Sequence, residues 1–408
     1  MPVTTRPTDA ELAALRASIE GDLPAFLADL EHLVNIDCGS YVPAGVDEVG
    51  RWTGEFLESM GAHVEYRPDP DGQFGSTVVG TLDGPAGGPR VLLIGHMDTV
   101  FEPGTPAVRP FRFDGDGNIA TGPGVTDMKA GLLAGLYALR AIGELPFERL
   151  TFIANPDEEV GSPTSTPHIR AAAAEADVAL VLECGRANGD IVSSRKGIAD
   201  HRLVVHGRAA HAGIEPEKGH HAILEAARIV REAQALNGRW PGVTFNVGTI
   251  RGGTRTNVVP DRCELAVESR SVTGDGLDAA IAAIRELVAT PEVPGTTIEV
   301  STEFSWRPME KTDRSARLVE HTKSVAERLG FSVNDAATGG ASDANTTAGM
   351  GVPSLDGLGP VGGNDHAPSE YLEVDSIVPR TAMLAGLLLE IAADPVILEW
   401  RAAAAQRT

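Results

Sequence analysis

Apolar positions recur along this chain at helical spacing in some stretches and at strand spacing in others, and the changes between the two mark its elements. Thr8-Asp9-Ala10-Glu11 fits a capping box and predicts a helix through Leu12, Leu15 and Ile19. Asp22, with Pro24 in the first turn, predicts the start of a second helix along Phe26, Leu27, Leu30, Leu33 and Val34. A third carries Val49, Trp52, Phe56, Leu57 and Met60 and stops at Gly61. Residues 62–67 and 76–82 read as strands, and the turn-rich 83–89 leads to a further strand at 90–94. That last run, Arg90-Val91-Leu92-Leu93-Ile94, is apolar on both faces, which suits the centre of a sheet covered by helices.

A helix through Leu132, Leu133, Leu136 and Leu139 follows, then a strand at 150–154, a helix at 166–176 and a strand at 178–182. Alternating strands and helices predict an α/β domain with a mostly parallel sheet covered by helices on both faces. Near Arg195-Lys196 the texture changes. Residues 199–206 alternate like a half-exposed antiparallel strand. A helix with Ile223, Ala227 and Val230 follows, then strands at 244–250 and 261–270, a helix at 277–288 and a strand at 297–304. This order predicts an inserted α+β, ferredoxin-like domain over 196–308, with the first domain made of 1–195 and 309–408.

Composition narrows the classes. The 408 residues are 42% hydrophobic and 22% charged, as in a globular protein with a sizeable core. A net charge of -23 argues against a nucleic-acid partner. Cys38, Cys184 and Cys263 form no disulfide framework, and residues 1–15 lack a secretory pattern. The apolar runs read as strand-length, so no membrane partner is expected and the location is expected to be cytoplasmic.

The chemistry begins with Asp157-Glu158-Glu159 behind the apolar strand 150–154. Adjacent carboxylates at a strand end repel one another unless cations neutralise them. Four other residues at strand ends or Gly-rich turns qualify as ligands with Glu159: His96, Asp127, Glu183 and His366. Two His and three carboxylates suit zinc, with cobalt or manganese also compatible. Five side chains are too many for one open tetrahedral site and suit two ions sharing a carboxylate. Asp98, two residues from His96 in an extended segment, is placed to accept from the other ring nitrogen of His96. If Glu158 and Glu159 point opposite ways at a strand end, Glu159 binds metal while Glu158 serves as general base.

Each residue also has an ordinary reading. The acid run can be a solvated loop, Asp127 an N-cap, Glu183 a partner of Arg186, and His366 a plain loop residue. Lys129 reads as a solvated or helix-flanking charge.

Taken together, and in order, several motifs resemble the zinc-dependent aminoacylase/carboxypeptidase family. They are His96-Met97-Asp98-Thr99-Val100, Gly122-Pro123-Gly124-Val125-Thr126-Asp127-Met128-Lys129, Asp157-Glu158-Glu159-Val160-Gly161 and His366-Ala367-Pro368-Ser369-Glu370. Glu183-Cys184-Gly185-Arg186, Ser194-Arg195-Lys196-Gly197 and Gly339-Gly340-Ala341-Ser342-Asp343-Ala344 point to its carboxypeptidase G type glutamate carboxypeptidases. Ala130 stands where many relatives have Gly.

The resemblance implies two zinc ions, one on His96 and Glu183, the other on Glu159 and His366, bridged by Asp127. It also implies a cis bond after Asp127 and a general base at Glu158. The inserted domain would be a lid and dimerisation domain. His211 there would stabilise the oxyanion in the partner subunit's site, Asn257 would hold substrate, and Arg270 and Arg307 would bind its free carboxylate. The function expected is a di-zinc hydrolase of peptidyl or N-acyl amino acids, releasing C-terminal glutamate. The alternatives are a biosynthetic deacylase of acetylornithine or succinyl-diaminopimelate type, and a non-catalytic metal or peptide binder.

Overall fold

The computed structural model describes residues 5–115 and 117–405. The chain forms two compact units, one of residues 1–193, 311–337 and 342–408, the other of 194–310 and 338–341. In chain order the first unit begins with α1 (Asp9–Val34), α2 (Pro43–Ser59), β1 (His63–Arg67), β2 (Thr77–Asp83) and β3 (Arg90–His96). It continues with α3 (Ala130–Ile142), β4 (Arg149–Asn155), α4 (Thr166–Glu175) and β5 (Val178–Val181). The second unit contributes β6 (Gly197–His206), α5 (Ala222–Ala235), β7 (Thr244–Gly252), β8 (Arg262–Ser271), α6 (Gly274–Val288) and β9 (Thr297–Trp306). The chain returns to the first unit with α7 (Asp313–Arg328), α8 (Asp343–Gly349), β10 (Ser354–Leu355) and α9 (Ile377–Ala393).

The six-stranded sheet of the first unit runs β1-β2-β4-β3-β5-β10. It is mixed. Strands β4, β3, β5 and β10 are parallel, while β1 and β2 pair antiparallel at one side. Its centre is β3. Val91 and Leu93 join the core formed with α1, α3 and α9, and Leu92 and Ile94 on the opposite face are equally buried. Parallel strands covered on both faces are nearly continuous apolar runs, which explains the sequence of β3.

Two expectations change. The apolar stretch 374–393 is long enough to span a membrane, yet most of it is buried in the structure, where α9 serves as a core helix. And α1 is one helix rather than two. Its capping box at Thr8 forms as expected, but Pro24 lies inside. A proline there forgoes one backbone bond. The continuous stripe Leu12, Leu15, Ile19, Phe26, Leu30 and Leu33 buries one face across that point, and this apolar burial outweighs the lost bond.

In the second unit the sheet runs β9-β6-β8-β7 with every pair antiparallel. Leu203, Val205, Leu265 and Val267 pack against Ala226 and Ile229 of α5 and Ala280 and Ile284 of α6. Strand order and helix placement are ferredoxin-like.

Pro24 is exposed, so little packing is lost by replacing it. Pro24→Ala should stabilise the protein by about 1–3 kcal/mol, because the helix interior regains a donor and loses a clash. Calorimetry should show a higher Tm; a lower one would mean that the proline is required.

Candidate metal centre

Three adjacent parallel strands bring acids and imidazoles to one edge of the sheet. His96 ends β3 and lies in register with Asn155, the last residue of β4. Glu158 and Glu159 follow β4, and Glu183 lies two residues beyond β5. The carboxyl ends of parallel strands are where open α/β sheets build sites.

The two remaining ligand candidates hang from a small three-stranded sheet of Gly362–Gly363, Tyr371–Glu373 and Ile119–Thr121. His366 sits in the loop between the first two strands, with φ at +63°. Asp127 sits in a kinked turn after the third, and its bond to Met128 is cis. Glu370 locks this turn. It is fully buried, and its carboxylate accepts from the amides of Gly124 and Thr126 at 2.9 Å and of Asp127 at 3.1 Å. Arg109 braces the other side: its guanidinium donates to the carbonyls of Ala367 at 3.3 Å and Pro368 at 2.9 Å.

These elements converge on Asp127. Its Oδ1 lies 3.1 Å from His96 Nε2 and its Oδ2 3.1 Å from His366 Nε2. His96 Nε2 is also 3.7 Å from Glu183 Oε1, and His366 Nε2 is 3.1 Å from Glu159 Oε2. Donor atoms of His96, Asp127 and Glu159 lie within 4.8 Å of one another, as do those of His96, Glu158 and Glu183. The structure thus gathers His96, Asp127, Glu158, Glu159, Glu183 and His366 in one cleft.

Asp98 takes a broader part than expected. The Nδ1 of His96 is 3.1 Å from the Asp98 carbonyl oxygen and 3.4 Å from its carboxylate. That carboxylate mainly accepts from Ser40 Oγ at 2.7 Å and from the amides of Glu158 at 3.2 Å and Glu159 at 3.3 Å. It therefore ties the segment after β3 to the acid turn. The acids do not extend β4 either: Glu158–Val160 form one 3-10 turn, so strand alternation is not what separates their side chains. Asp157 is buried and serves the turn, accepting from Thr164 Oγ1 at 2.7 Å and Ser165 Oγ at 2.5 Å.

Lys129 is not a solvated charge. It is buried and donates to the Pro123 carbonyl at 3.2 Å, closing the turn that presents Asp127. Its signal in the sequence was weak, because a lysine after an acidic ligand ordinarily faces water. Glu370 could have been suspected from lying four residues past His366.

Charge on these groups is interdependent. Burial pushes the Glu158 carboxyl well above its usual range, and the Glu183 charge adds to this. Burial also raises Glu159, against the pull of His366. Burial opposes ionisation of Asp127, but bonds from His366 and His96 hold it below the usual carboxylate range. Bonds to Asp127 and Glu159 push His366 up to about 10. Burial opposes charge on His96, yet Asp127 and Asp98 hold its imidazolium well above the ordinary value. Where a proton now relieves each imidazole–carboxylate contact, a divalent cation would do the same with more charge. The mixed nitrogen and oxygen donors fit zinc or a similar first-row ion.

The other four candidates lie in the second unit. Gly213 donates its amide to His211 Nδ1 at 3.2 Å, and Ala212 donates to the Asn257 carbonyl at 3.0 Å. Arg270 forms a fork with Glu268 at 2.7 and 2.9 Å and donates to the Gly339 carbonyl at 2.6 Å, while Arg307 pairs with Asp278 at 2.5 Å.

An α/β domain with imidazoles and carboxylates converging at its strand ends defines a metallohydrolase. The chain belongs to peptidase family M20/M25/M40, whose model matches residues 92–390, and it is a metal-dependent hydrolase of the peptidase and amidohydrolase class. It is 30% identical to carboxypeptidase G2 of Pseudomonas sp. (strain RS-16), over 91% of this chain and 90% of that one. It is 28% identical to the acetylornithine deacetylase of Myxococcus xanthus, over 89% and 96%. A tripeptidase structure from Staphylococcus aureus shares the fold at a TM-score of 0.74 and 24% identity, covering 91% of this chain and 99% of that one.

Metal binding must expel the protons held by these imidazoles. Since the pKa of His366 is raised to about 10, its ring is charged at pH 7 in metal-free protein, and affinity should fall as pH drops. Titrating zinc into metal-free protein at pH 7 should show heats that depend on the buffer's ionisation enthalpy, with net proton release. Heats independent of buffer would contradict the proton-bridged arrangement.

Proposed function

We propose that this protein holds two zinc ions and cleaves the amide bond of peptidyl or N-acyl amino acids, releasing C-terminal glutamate from substrates that include folate-like conjugates. The observation that carries this reading is Asp127, with each carboxylate oxygen 3.1 Å from a different imidazole. In it, His96 and Glu183 would hold one ion, Glu159 and His366 the other, and Asp127 would be shared between them. The ions supply Lewis-acid polarisation of the carbonyl and a water of lowered pKa.

Glu158 would take a proton from the attacking water and return it to the leaving amine. Its half-buried side chain, with a carboxyl raised in pKa, suits a group that must both accept and donate near neutral pH. Asp98 orients His96. His211 meets the oxyanion in the partner subunit's site. Because Gly213 occupies its Nδ1, the ring proton resides on Nε2, ready to donate. Asn257 holds substrate, and Arg270 and Arg307 receive the free carboxylate, exchanging Glu268 and Asp278 for it. The inserted unit is the lid and the dimer contact, and the protein works as a cytoplasmic homodimer.

Similarity to acetylornithine deacetylase favours a second reading, removal of an acyl group from a biosynthetic amino acid. A panel of acetyl, succinyl and 4-aminobenzoyl derivatives of glutamate, ornithine and diaminopimelate separates the two. Glutamate conjugates should be turned over fastest; a preference for acetylornithine would favour the second.

Glu158→Gln should lower kcat by at least about 10³-fold while metal analysis still finds two zinc ions per subunit. Turnover at the wild-type rate would eliminate Glu158 as the base. Light scattering should give the mass of a dimer, and a fully active monomer would exclude a partner's His211 from the reaction.

A further inference from the structure

The turn bearing Glu158 and Glu159 is closed by a carboxylate for which the proposed reaction has no use. Asp343 is the first residue of α8 and is 1% exposed. Its Oδ1 accepts from Ser162 Oγ at 2.6 Å, and its Oδ2 accepts from Asn155 Nδ2. Asn155 ends β4 and Ser162 follows the turn, so one side chain joins the two ends of residues 156–161.

Both ends are themselves fixed. The Met97 amide donates to the Asn155 carbonyl at 2.9 Å, beside His96, and Thr166 donates to the Ser162 carbonyl through its amide at 3.0 Å and its hydroxyl at 2.6 Å. Ser162 has φ at +54°, a conformation a serine keeps only when its surroundings impose it. The Asn155 Oδ1 is buried without a hydrogen-bond partner among the described residues, so the bond to Asp343 is what orients that amide. Asp343 is held in turn by the capping box of α8, whose Ser342 hydroxyl donates to Asp356 at 2.6 Å. A carboxylate this deep is a poor stabiliser compared with an apolar side chain, and its two bonds give it a different duty.

We propose that Asp343 is a positioning residue that clamps residues 156–161, aiming Glu158 at the reacting water and Glu159 at its metal. This rests on the roles proposed above for those two glutamates. Asp343 is bonded to Asn155 and Ser162, and it acts through them. Catalytic groups displaced by about 1 Å lose on the order of 10²-fold in rate.

The test uses full-length protein with Asp343→Ala, Ser162→Ala and the double substitution, assayed on N-(4-aminobenzoyl)-glutamate. Asp343→Ala should lower kcat about 100-fold with KM within about threefold of wild type. The double variant should be no slower than Asp343→Ala, because both changes break one clamp. Hydrogen exchange in metal-free protein should accelerate at the amides of 157–161 and stay unchanged in the second unit.

Wild-type kcat in a folded Asp343→Ala, losses that multiply in the double variant, or unchanged exchange at 157–161 would each overturn the clamp. If Asp343→Ala does not fold, Ser162→Ala carries the same readouts, and wild-type kcat and exchange there would overturn it. If wild-type protein cleaves no acylated amino acid but exchange still accelerates in Asp343→Ala, the clamp stands and the hydrolytic reading of this substrate class fails.

Discussion

Carboxylates crowded into a space that water barely reaches are the constraint on which the first unit depends. Asp127, Glu158, Glu159 and Glu183 converge there with His96 and His366 between them. Like charges at such separations cannot all persist without protons or cations among them. The backbone that carries them is tied down accordingly. Glu370 holds the turn of Asp127, Asp98 the amides of Glu158 and Glu159, and Asp343 both ends of that second turn. A ring of buried acids thus supports the site without belonging to it, which is how donor groups keep the geometry a metal demands.

The sheet explains why these residues meet. His96, Glu159 and Glu183 are far apart in sequence but lie at the carboxyl ends of neighbouring parallel strands, so each crossover returns the chain to the same edge. The small sheet of Ile119–Thr121, Gly362–Gly363 and Tyr371–Glu373 solves a second problem. It joins the turn of Asp127 to the loop of His366 across more than half of the chain. The inserted unit is built separately, around its own core, with His211 and Asn257 on adjoining segments.

Much of this was legible because apolar period and motif order are local signals. The runs at β3 and β4, the change of texture near Arg195 and the set of five ligand candidates needed only the sequence. What escaped it depends on tertiary surroundings. Nothing local distinguishes the buried Lys129 from a solvated lysine, or Pro24 inside α1 from a proline that begins a helix. The supporting roles of Glu370 and Asp343 follow from bonds to backbone and side chains hundreds of residues away. The division between Glu158 and Glu159 was expected from strand alternation, but the segment is a 3-10 turn. The antiparallel β1 and β2 likewise depend on where the sheet ends, which apolar content alone does not reveal.

The most direct test of a carboxylate shared between two ions is anomalous diffraction at the zinc edge from crystals of metal-loaded protein. Two peaks should appear, one by His96 and Glu183 and one by Glu159 and His366, with Asp127 reaching both. A single peak, or peaks that leave Asp127 without a metal contact, would contradict the shared site.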